Sequence, residues 1–352
     1  MTELTQAHQG NWLPGNYARI QAAMAALPPP AERGLALAAV FDFDNTCVFR
    51  DIGQALFRVQ MLELRYRICP DTLAALIPED GAVLAGRPWP LLREALLSCY
   101  RGLWPLIQAG RYAEAKAAPA YGPFVALLAW LVSNARKAPH LGPRYVLSLL
   151  AKLQAGHRLD ELRAFGLQVL RQLVAEPLAT LSLEACLPEP LGHISVTLPT
   201  GLRPFAEMRD LMGFLQTHGL QCHVVSASSE WLVQTVAPVL GFPLRAEGIF
   251  GVRTAIDANG MLLPENATDY PLTFRDGKNV VIDRFIRARP WLVAGDADTD
   301  YDMLTRPEPA IRLLINRRQS GLIASLYPRP DILLQGIDQS AGCFRPSSET
   351  VD

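Results

Sequence analysis

Two aspartates, Asp42 and Asp44, directly follow an apolar segment that ends at Phe41. A β-strand directs alternate side chains to the same face, so both carboxylates would emerge together at the carboxyl end of this segment. Two adjacent anions repel each other unless they share a proton or a cation, and Mg²⁺ prefers carboxylate and carbonyl oxygens. The alternative is that Asp42 merely ends a buried strand and that the next polar residues form a turn and a helix cap.

Three further groups of residues could contribute to the same chemistry. Ser226 ends an apolar stretch just before a predicted helix, where free amides could hold a phosphate, although an ordinary serine helix cap is the alternative. Lys278 lies near the start of another predicted helix, where its charge is unfavourable. It could neutralise a phosphate or simply be solvated. Asp296 and Asp300 follow Gly295 at the end of a third apolar strand, and carboxylates this close favour a bound cation.

The elements that must position these residues follow from the apolar periodicity. From about residue 198 onward, predicted helices alternate with short apolar strands, which favours a doubly wound α/β fold with a parallel sheet. Between residues 54 and 185, apolar residues recur at helical spacing instead. In open α/β sheets ligands bind at the carboxyl ends of the strands, so a helical insert after the first motif would cover the site. An Asn-Gly turn predicts a β-hairpin over residues 251–263.

These patterns predict two domains and a tail. Residues 1–53 and 190–345 are predicted to form the α/β core domain, and residues 54–189 a large α-helical cap inserted after the first strand. Residues 346–352 are predicted to be disordered.

Composition narrows the class of protein. The chain has 352 residues, half of them hydrophobic, and a formal net charge of -1. This balance argues against nucleic acid or an anionic membrane surface as the main partner. The longest apolar run, residues 124–132, is too short for a membrane span and predicts a core helix. Residues 1–6 have neither a basic start nor an apolar segment, so we expect a cytoplasmic protein.

In order and placement these motifs resemble those of the haloacid dehalogenase superfamily of phosphatases. The match consists of Asp42-x-Asp44-x-Thr46, Ser226, Lys278 and Gly295-Asp296-x-x-x-Asp300. The helical insert and the segment 201–205 resemble the phosphoserine phosphatase group. A closer resemblance to bacterial phosphorylcholine phosphatases covers the core domain well and the insert poorly. It comprises residues 42–46, Val225-Ser226-Ala227, Gly248-x-x-Gly251, residues 292–296 and Asn316-Arg317.

The resemblance implies a Mg²⁺-dependent phosphomonoesterase that works through an aspartyl-phosphate. It implies that Asp42 attacks phosphorus, and that Asp44 protonates the leaving oxygen and then activates water. The other implied roles are phosphate binding by Thr46, Ser226, Ala227 and Lys278, support of Lys278 by Asp300, and Mg²⁺ binding by Asp42, the Asp44 carbonyl and Asp296.

Asp51 is a candidate for recognising the substrate. It lies nine residues after Asp42, where phosphoserine phosphatases place an acid that meets the amino group of the substrate. An anion there could select a leaving group such as choline, ethanolamine or serine. The expected partner is therefore a small phosphorylated metabolite. Phosphotransfer to an acceptor alcohol through the same intermediate, and a catalytically silent binding protein of the same fold, are the alternatives.

Overall fold

The computed structural model describes residues 10–79, 81 and 83–352. Residues 1–6, on which the expectation of a cytoplasmic protein depends, lie outside the described residues. The chain divides into two compact units. The sheet unit comprises Met1–Ile52, Gly201–Val252 and Pro271–Asp352, and the helical unit comprises Gly53–Thr200 and Arg253–Tyr270.

The strands and helices are numbered in chain order. The strands are Leu37–Phe41 (β1), Val48–Phe49 (β2), Val83–Leu84 (β3), Arg87–Pro88 (β4), Thr180–Cys186 (β5), His193–Pro199 (β6), Arg203–Pro204 (β7), Gln221–Ser229 (β8), Ile249–Val252 (β9), Thr254–Ile256 (β10), Leu262–Asn266 (β11), Arg289–Gly295 (β12), Ile311–Asn316 (β13), Ile332–Asp338 (β14) and Cys343–Phe344 (β15). The α-helices are Pro14–Ala25 (α1), Ile52–Leu62 (α2), Pro70–Leu76 (α3), Trp89–Gln108 (α4), Tyr112–Ala117 (α5), Tyr121–Ala135 (α6), Gly142–Lys152 (α7), Leu159–Ala175 (α8), Ala206–Thr217 (α9), Glu230–Val239 (α10), Asp276–Phe285 (α11) and Tyr301–Leu304 (α12).

A seven-stranded sheet forms the centre of the sheet unit, in the order β15-β14-β13-β12-β1-β8-β9. Neighbouring strands are parallel except β15, which is antiparallel to β14. All of β1 beyond its first residue is buried, as expected for a strand in the middle of a parallel sheet. The predicted α/β fold with a parallel sheet is confirmed.

The strand order creates a favourable position for a site. After β1 the chain adds β8 and β9 on one side of it and then adds β12, β13 and β14 on the other side. Ligands of open α/β sheets bind at the carboxyl ends of strands where the direction of winding changes. The carboxyl ends of β8, β1 and β12 therefore form the expected location.

The helical unit is built around α6, whose residues 124–132 are all buried. This confirms the predicted core helix, and among the described residues there is no helix of the length and hydropathy that a membrane span requires. Residues 180–186, which we expected to be helical, instead form β5 and pair antiparallel with β6. The polar and apolar residues of this segment alternate, and β5 and β6 both pack against α6.

The observed units also differ from the predicted boundaries. Residues 190–200 and 253–270 group with the helical unit. The hairpin on the Asn-Gly turn is present as β10 and β11, but residues 249–252 form β9 of the central sheet. The amide of Leu262 in β11 donates to the carbonyl of His157 at 3.0 Å, which ties the hairpin to the helical unit.

Residues 346–352, which the sequence predicts to be disordered, are hydrogen-bonded to the sheet unit in the structure. The Val351 amide donates to the Ile337 carbonyl at 3.0 Å, so the segment pairs with β14. Thr350 is 7% exposed. Its hydroxyl donates to the Asn316 carbonyl and accepts the Ile337 amide at 3.0 Å. The segment has few apolar residues, and the hydrogen bonds that order it come from strands distant in sequence.

Replacing Thr350 tests whether the tail is ordered in solution. Thr350→Val keeps the shape of the side chain but leaves the buried Ile337 amide without its acceptor. We expect the free energy of unfolding to fall by about 1–3 kcal/mol in urea denaturation. Thr350→Ser keeps the hydroxyl and is the matched control. Equal stability of the valine and serine variants would show that the tail does not contribute this bond.

Candidate active site

A buried lysine joins two carboxylates at the carboxyl end of β1. Asp42 extends this strand, since its amide donates to the Ala294 carbonyl of β12 at 2.9 Å. The Lys278 Nζ lies 2.6 Å from Asp42 Oδ1 and 2.6 Å from Asp300 Oδ1. Burial disfavours the ammonium, but Asp300 and Asp42 outweigh this effect and raise the pKa of Lys278. Lys278 therefore remains charged, and its unfavourable place in the first turn of α11 is compensated.

Asp300 is fixed by the chain that follows β12. Its Oδ2 accepts the amides of Asp296 at 2.9 Å and Ala297 at 3.2 Å. A Cβ atom added at Gly295 would lie 2.5 Å from the Asp300 Cβ, closer than real Cβ atoms approach. Glycine is thus required here because the Asp300 side chain packs directly on the backbone.

Three buried carboxylates could hold a cation. Oxygens of Asp42, Asp296 and Asp300 all lie within 4.8 Å of one another. Burial raises the pKa of Asp42, with the Asp300 charge adding to it, and burial raises the pKa of Asp296 to about 6. The Thr46 hydroxyl lies 3.4 Å from Asp42 Oδ2 and 3.4 Å from Asp296 Oδ1. Buried carboxylate oxygens with such long contacts suit a hard divalent cation.

Both oxygens of Asp300 already accept hydrogen bonds from Lys278 and from backbone amides. Asp42 and Asp296 therefore have more capacity left to bind a cation than Asp300 has. Asp300 instead suits the predicted role of supporting the lysine.

Asp44 has different neighbours from Asp42. Its Oδ1 accepts the Ile52 amide at 2.7 Å, and its Oδ2 accepts the hydroxyls of Ser228 at 2.6 Å and Ser226 at 3.3 Å. Burial raises the pKa of Asp44 and the nearby charge of Asp51 adds to this, while the bonds from Ser228 and Ile52 oppose it. The carboxyl group is oriented by neutral donors rather than by a lysine.

Ser228 is a site residue that sequence reasoning missed. Ser226 and Ser228 lie two residues apart in β8, so their side chains share a face. The Ser228 amide also donates to the Ser226 hydroxyl at 3.0 Å. The run of serines has the sequence pattern of a helix cap, but the strand continues to Ser229. Continuing the strand alternation of side chains from Ser226 by two residues indicates Ser228.

Arg317 is the second residue without a predicted role. It follows β13, the neighbour of β12, and its Nη1 donates to Asp296 Oδ2 at 2.7 Å. Its position after the end of a strand is the signal that could have identified it.

The structure brings most of the predicted residues together. The residues joined by contacts at this edge of the sheet are Asp42, Asp44, Thr46, Ser226, Lys278, Asp296 and Asp300. Ala227 lies between the two serines of β8. Asp51 is close enough to influence Asp44 electrostatically. The roles given to these residues stay predictions.

One curated relative shares part of the sequence. A phosphorylcholine phosphatase from Pseudomonas aeruginosa is 32% identical to this chain over a match that covers 33% of this chain and 42% of the relative. The match thus spans less than half the length of that protein. Together with the convergence of the four motifs in the structure, this partial match supports the resemblance to the haloacid dehalogenase superfamily of phosphatases. No family model matches the chain.

Solved structures add information on the fold of this chain. A conserved protein of unknown function from Anaerococcus prevotii aligns over 98% of both chains with a TM-score of 0.82 and 23% identity, so the two share a fold. A substrate-bound phosphoserine phosphatase aligns over 90% of this chain and 96% of its own length. Its TM-score of 0.38 and identity of 11% are too low to support an argument.

The contact between Gly295 and Asp300 gives a prediction that does not depend on the reaction. Gly295→Ala forces Asp300 away from the backbone, and we expect the free energy of unfolding to fall by about 1–3 kcal/mol. The control is Gly213→Ala in α9, where an added Cβ would meet no described atom within 4 Å. That variant should be more stable by up to about 1 kcal/mol. Equal unfolding midpoints in urea for both variants would contradict the packing described here.

Proposed function

We propose that this chain is a Mg²⁺-dependent phosphomonoesterase that works through an aspartyl-phosphate on Asp42. The observation that carries the proposal is the buried ion pair between Lys278 Nζ and Asp42 Oδ1 at 2.6 Å. An oriented carboxylate held beside a cation is the arrangement that a nucleophile requires. The activity of the Pseudomonas relative supports the same reaction class.

The surroundings of the two aspartates suit two different roles. The Lys278 ammonium favours the ionised form of Asp42, which attacks phosphorus. Asp44 is oriented by Ser226, Ser228 and the Ile52 amide and supplies the proton that the leaving oxygen needs.

The reaction then proceeds in two steps. An Asp42 carboxylate oxygen bonds to phosphorus as the bond from phosphorus to the leaving oxygen breaks, and that oxygen takes the Asp44 proton. Asp44 next removes a proton from water, whose oxygen attacks phosphorus and releases inorganic phosphate from Asp42.

The remaining groups bind and orient. Thr46, Ser226 and the backbone at Ala227 hold the phosphate oxygens, and Asp300 orients Lys278. Asp42, Asp296 and the Asp44 carbonyl would hold the Mg²⁺. When bound, Mg²⁺ supplies positive charge that offsets the carboxylates and the developing charge on the phosphoryl group.

We further propose a small phosphorylated amino alcohol or amino acid as substrate. Asp51 adds its charge close to Asp44, the proposed proton donor, and so lies near the leaving oxygen. A carboxylate at that position attracts the ammonium group of such a leaving group.

Trapping the intermediate tests the mechanism. Asp44→Asn should accumulate ³²P on the protein from a labelled aryl phosphate, because this leaving group departs without a proton while hydrolysis lacks its base. Asp42→Asn should neither take up label nor turn over, with kcat reduced on the order of 10³-fold or more. Both labelling and turnover should require Mg²⁺ and stop with a chelator.

The control for these variants is Asp283→Asn, which removes a surface carboxylate that pairs with Arg306. It should retain full activity. Full activity of Asp42→Asn would contradict the mechanism. Release of label into an added alcohol instead of water would favour a phosphotransferase.

The role of Asp51 has a separate test. Asp51→Asn should raise KM for phosphoethanolamine about 5- to 20-fold, because one charged contact is lost, and leave KM for ethyl phosphate unchanged. The two substrates differ only in the ammonium group. An equal change in KM for both would remove Asp51 from recognition of the leaving group.

A further inference from the structure

Arg50 occupies a backbone conformation that arginine rarely adopts. Its φ is +81°, in the left-handed region that favours glycine. Its amide donates to Asn45 Oδ1 at 3.1 Å, and its carbonyl accepts the Asn45 amide at 3.3 Å. Backbone strain persists where the surroundings enforce it, and it concentrates at functional sites. Glycine would be unstrained here, so the backbone gives no reason for an arginine side chain.

The guanidinium of Arg50 is oriented but not neutralised. Its Cζ lies 5.0 Å from the ring centroid of Phe49, which fixes its direction. Its Nε is buried without a hydrogen-bond partner. Within the described ranges Arg50 pairs with no carboxylate. This half-buried guanidinium therefore keeps hydrogen-bond donors that an anion could use.

A second arginine influences Arg50 electrostatically. Burial lowers the pKa of Arg50, and the positive charge of Arg317 lowers it further. Arg317 is bonded to Asp296 of the acidic cluster at 2.7 Å. Arg50 is hydrogen-bonded to Asn45, the residue after Asp44, so its backbone lies beside the proposed site. An unpaired guanidinium beside the site can bind an anion.

We propose that Arg50 binds a second anionic group of the substrate, either a carboxylate or a second phosphate on the leaving group. This inference rests on the proposed phosphomonoesterase and narrows its substrate class. The transferred phosphate already has Thr46, Ser226 and the Ala227 backbone as its proposed ligands. With Asp51 adjacent in sequence, the arrangement fits a zwitterionic phosphorylated amino acid better than a purely cationic amino alcohol.

Substrates that differ only in the charge of the leaving group test the proposal. O-phosphoserine carries a carboxylate and an ammonium, 3-phosphooxypropanoate the carboxylate alone, phosphoethanolamine the ammonium alone, and ethyl phosphate neither. Propanediol bisphosphate provides the second phosphate. The wild-type protein should prefer the substrates with a second anion, and the larger kcat/KM of the carboxylate or the bisphosphate identifies the natural anion.

Arg50→Gly is the informative variant because glycine accepts the observed φ. We expect kcat/KM to fall about 10- to 100-fold for the substrates with a second anion. It should stay within about twofold for ethyl phosphate and phosphoethanolamine. Arg50→Lys should recover part of the loss. The thermal unfolding midpoint of Arg50→Gly should be no lower than that of the wild type.

Arg284→Ala is the matched control, because the Arg284 guanidinium also lies over its neighbouring ring, 5.2 Å from the centroid of Phe285. It should leave every preference unchanged. Equal losses on all substrates in Arg50→Gly would assign Arg50 to the transferred phosphate and overturn the proposal. A wild type that hydrolyses aryl phosphates without preferring a second anion also contradicts it, whereas a wild type without phosphatase activity contradicts the proposed function.

Discussion

The fully buried Lys278 between Asp42 and Asp300 is the interaction on which the site depends. Several buried carboxylates meet at this edge of the sheet, and an unpaired buried charge is strongly destabilising. The lysine compensates two of them directly. Asp300 also fixes the chain after β12, because its second oxygen accepts the amides of Asp296 and Ala297. The position of the Lys278 ammonium therefore constrains two loops, the one after β1 that carries Asp42 and the one after β12 that carries Asp300.

The central sheet brings together groups that are far apart in the sequence. Asp44 and Ser228 are separated by 184 positions, yet their side chains lie 2.6 Å apart. Parallel strands require a crossover connection between them, so the chain must leave the sheet after β1 before it can add β8. The first of these connections is long enough to contain most of the helical unit. Parallel pairing of β8, β1 and β12 then aligns their carboxyl ends, which is why each motif follows an apolar run.

That pattern explains which features could be predicted from the sequence. An apolar run followed by acids or serine is a local signal, and it was sufficient for Asp42, Asp296 and Ser226. Ser228 was missed because a short serine run has the same local pattern in a strand as in a helix cap. Residues 180–186 follow a long segment of helical periodicity, and only their own short alternation of polar and apolar residues indicates a strand. The grouping of residues 253–270 with the helical unit depends on pairing with His157, which no local pattern reveals.

The C-terminal segment shows the same limit and connects it to the site. Its polar residues predict disorder, since they cannot bury apolar surface. They are ordered instead by hydrogen bonds, including one from Asn316 Nδ2 to the Ser348 carbonyl at 2.8 Å and one from the Thr350 hydroxyl to the Asn316 carbonyl. The next residue, Arg317, donates a hydrogen bond to Asp296. Asn316 is thus fixed through both its side chain and its carbonyl. The end of the chain therefore restricts the backbone at Asn316, directly before the residue whose guanidinium contacts the acidic cluster. The terminal segment therefore belongs to the support of the site as much as β13 does.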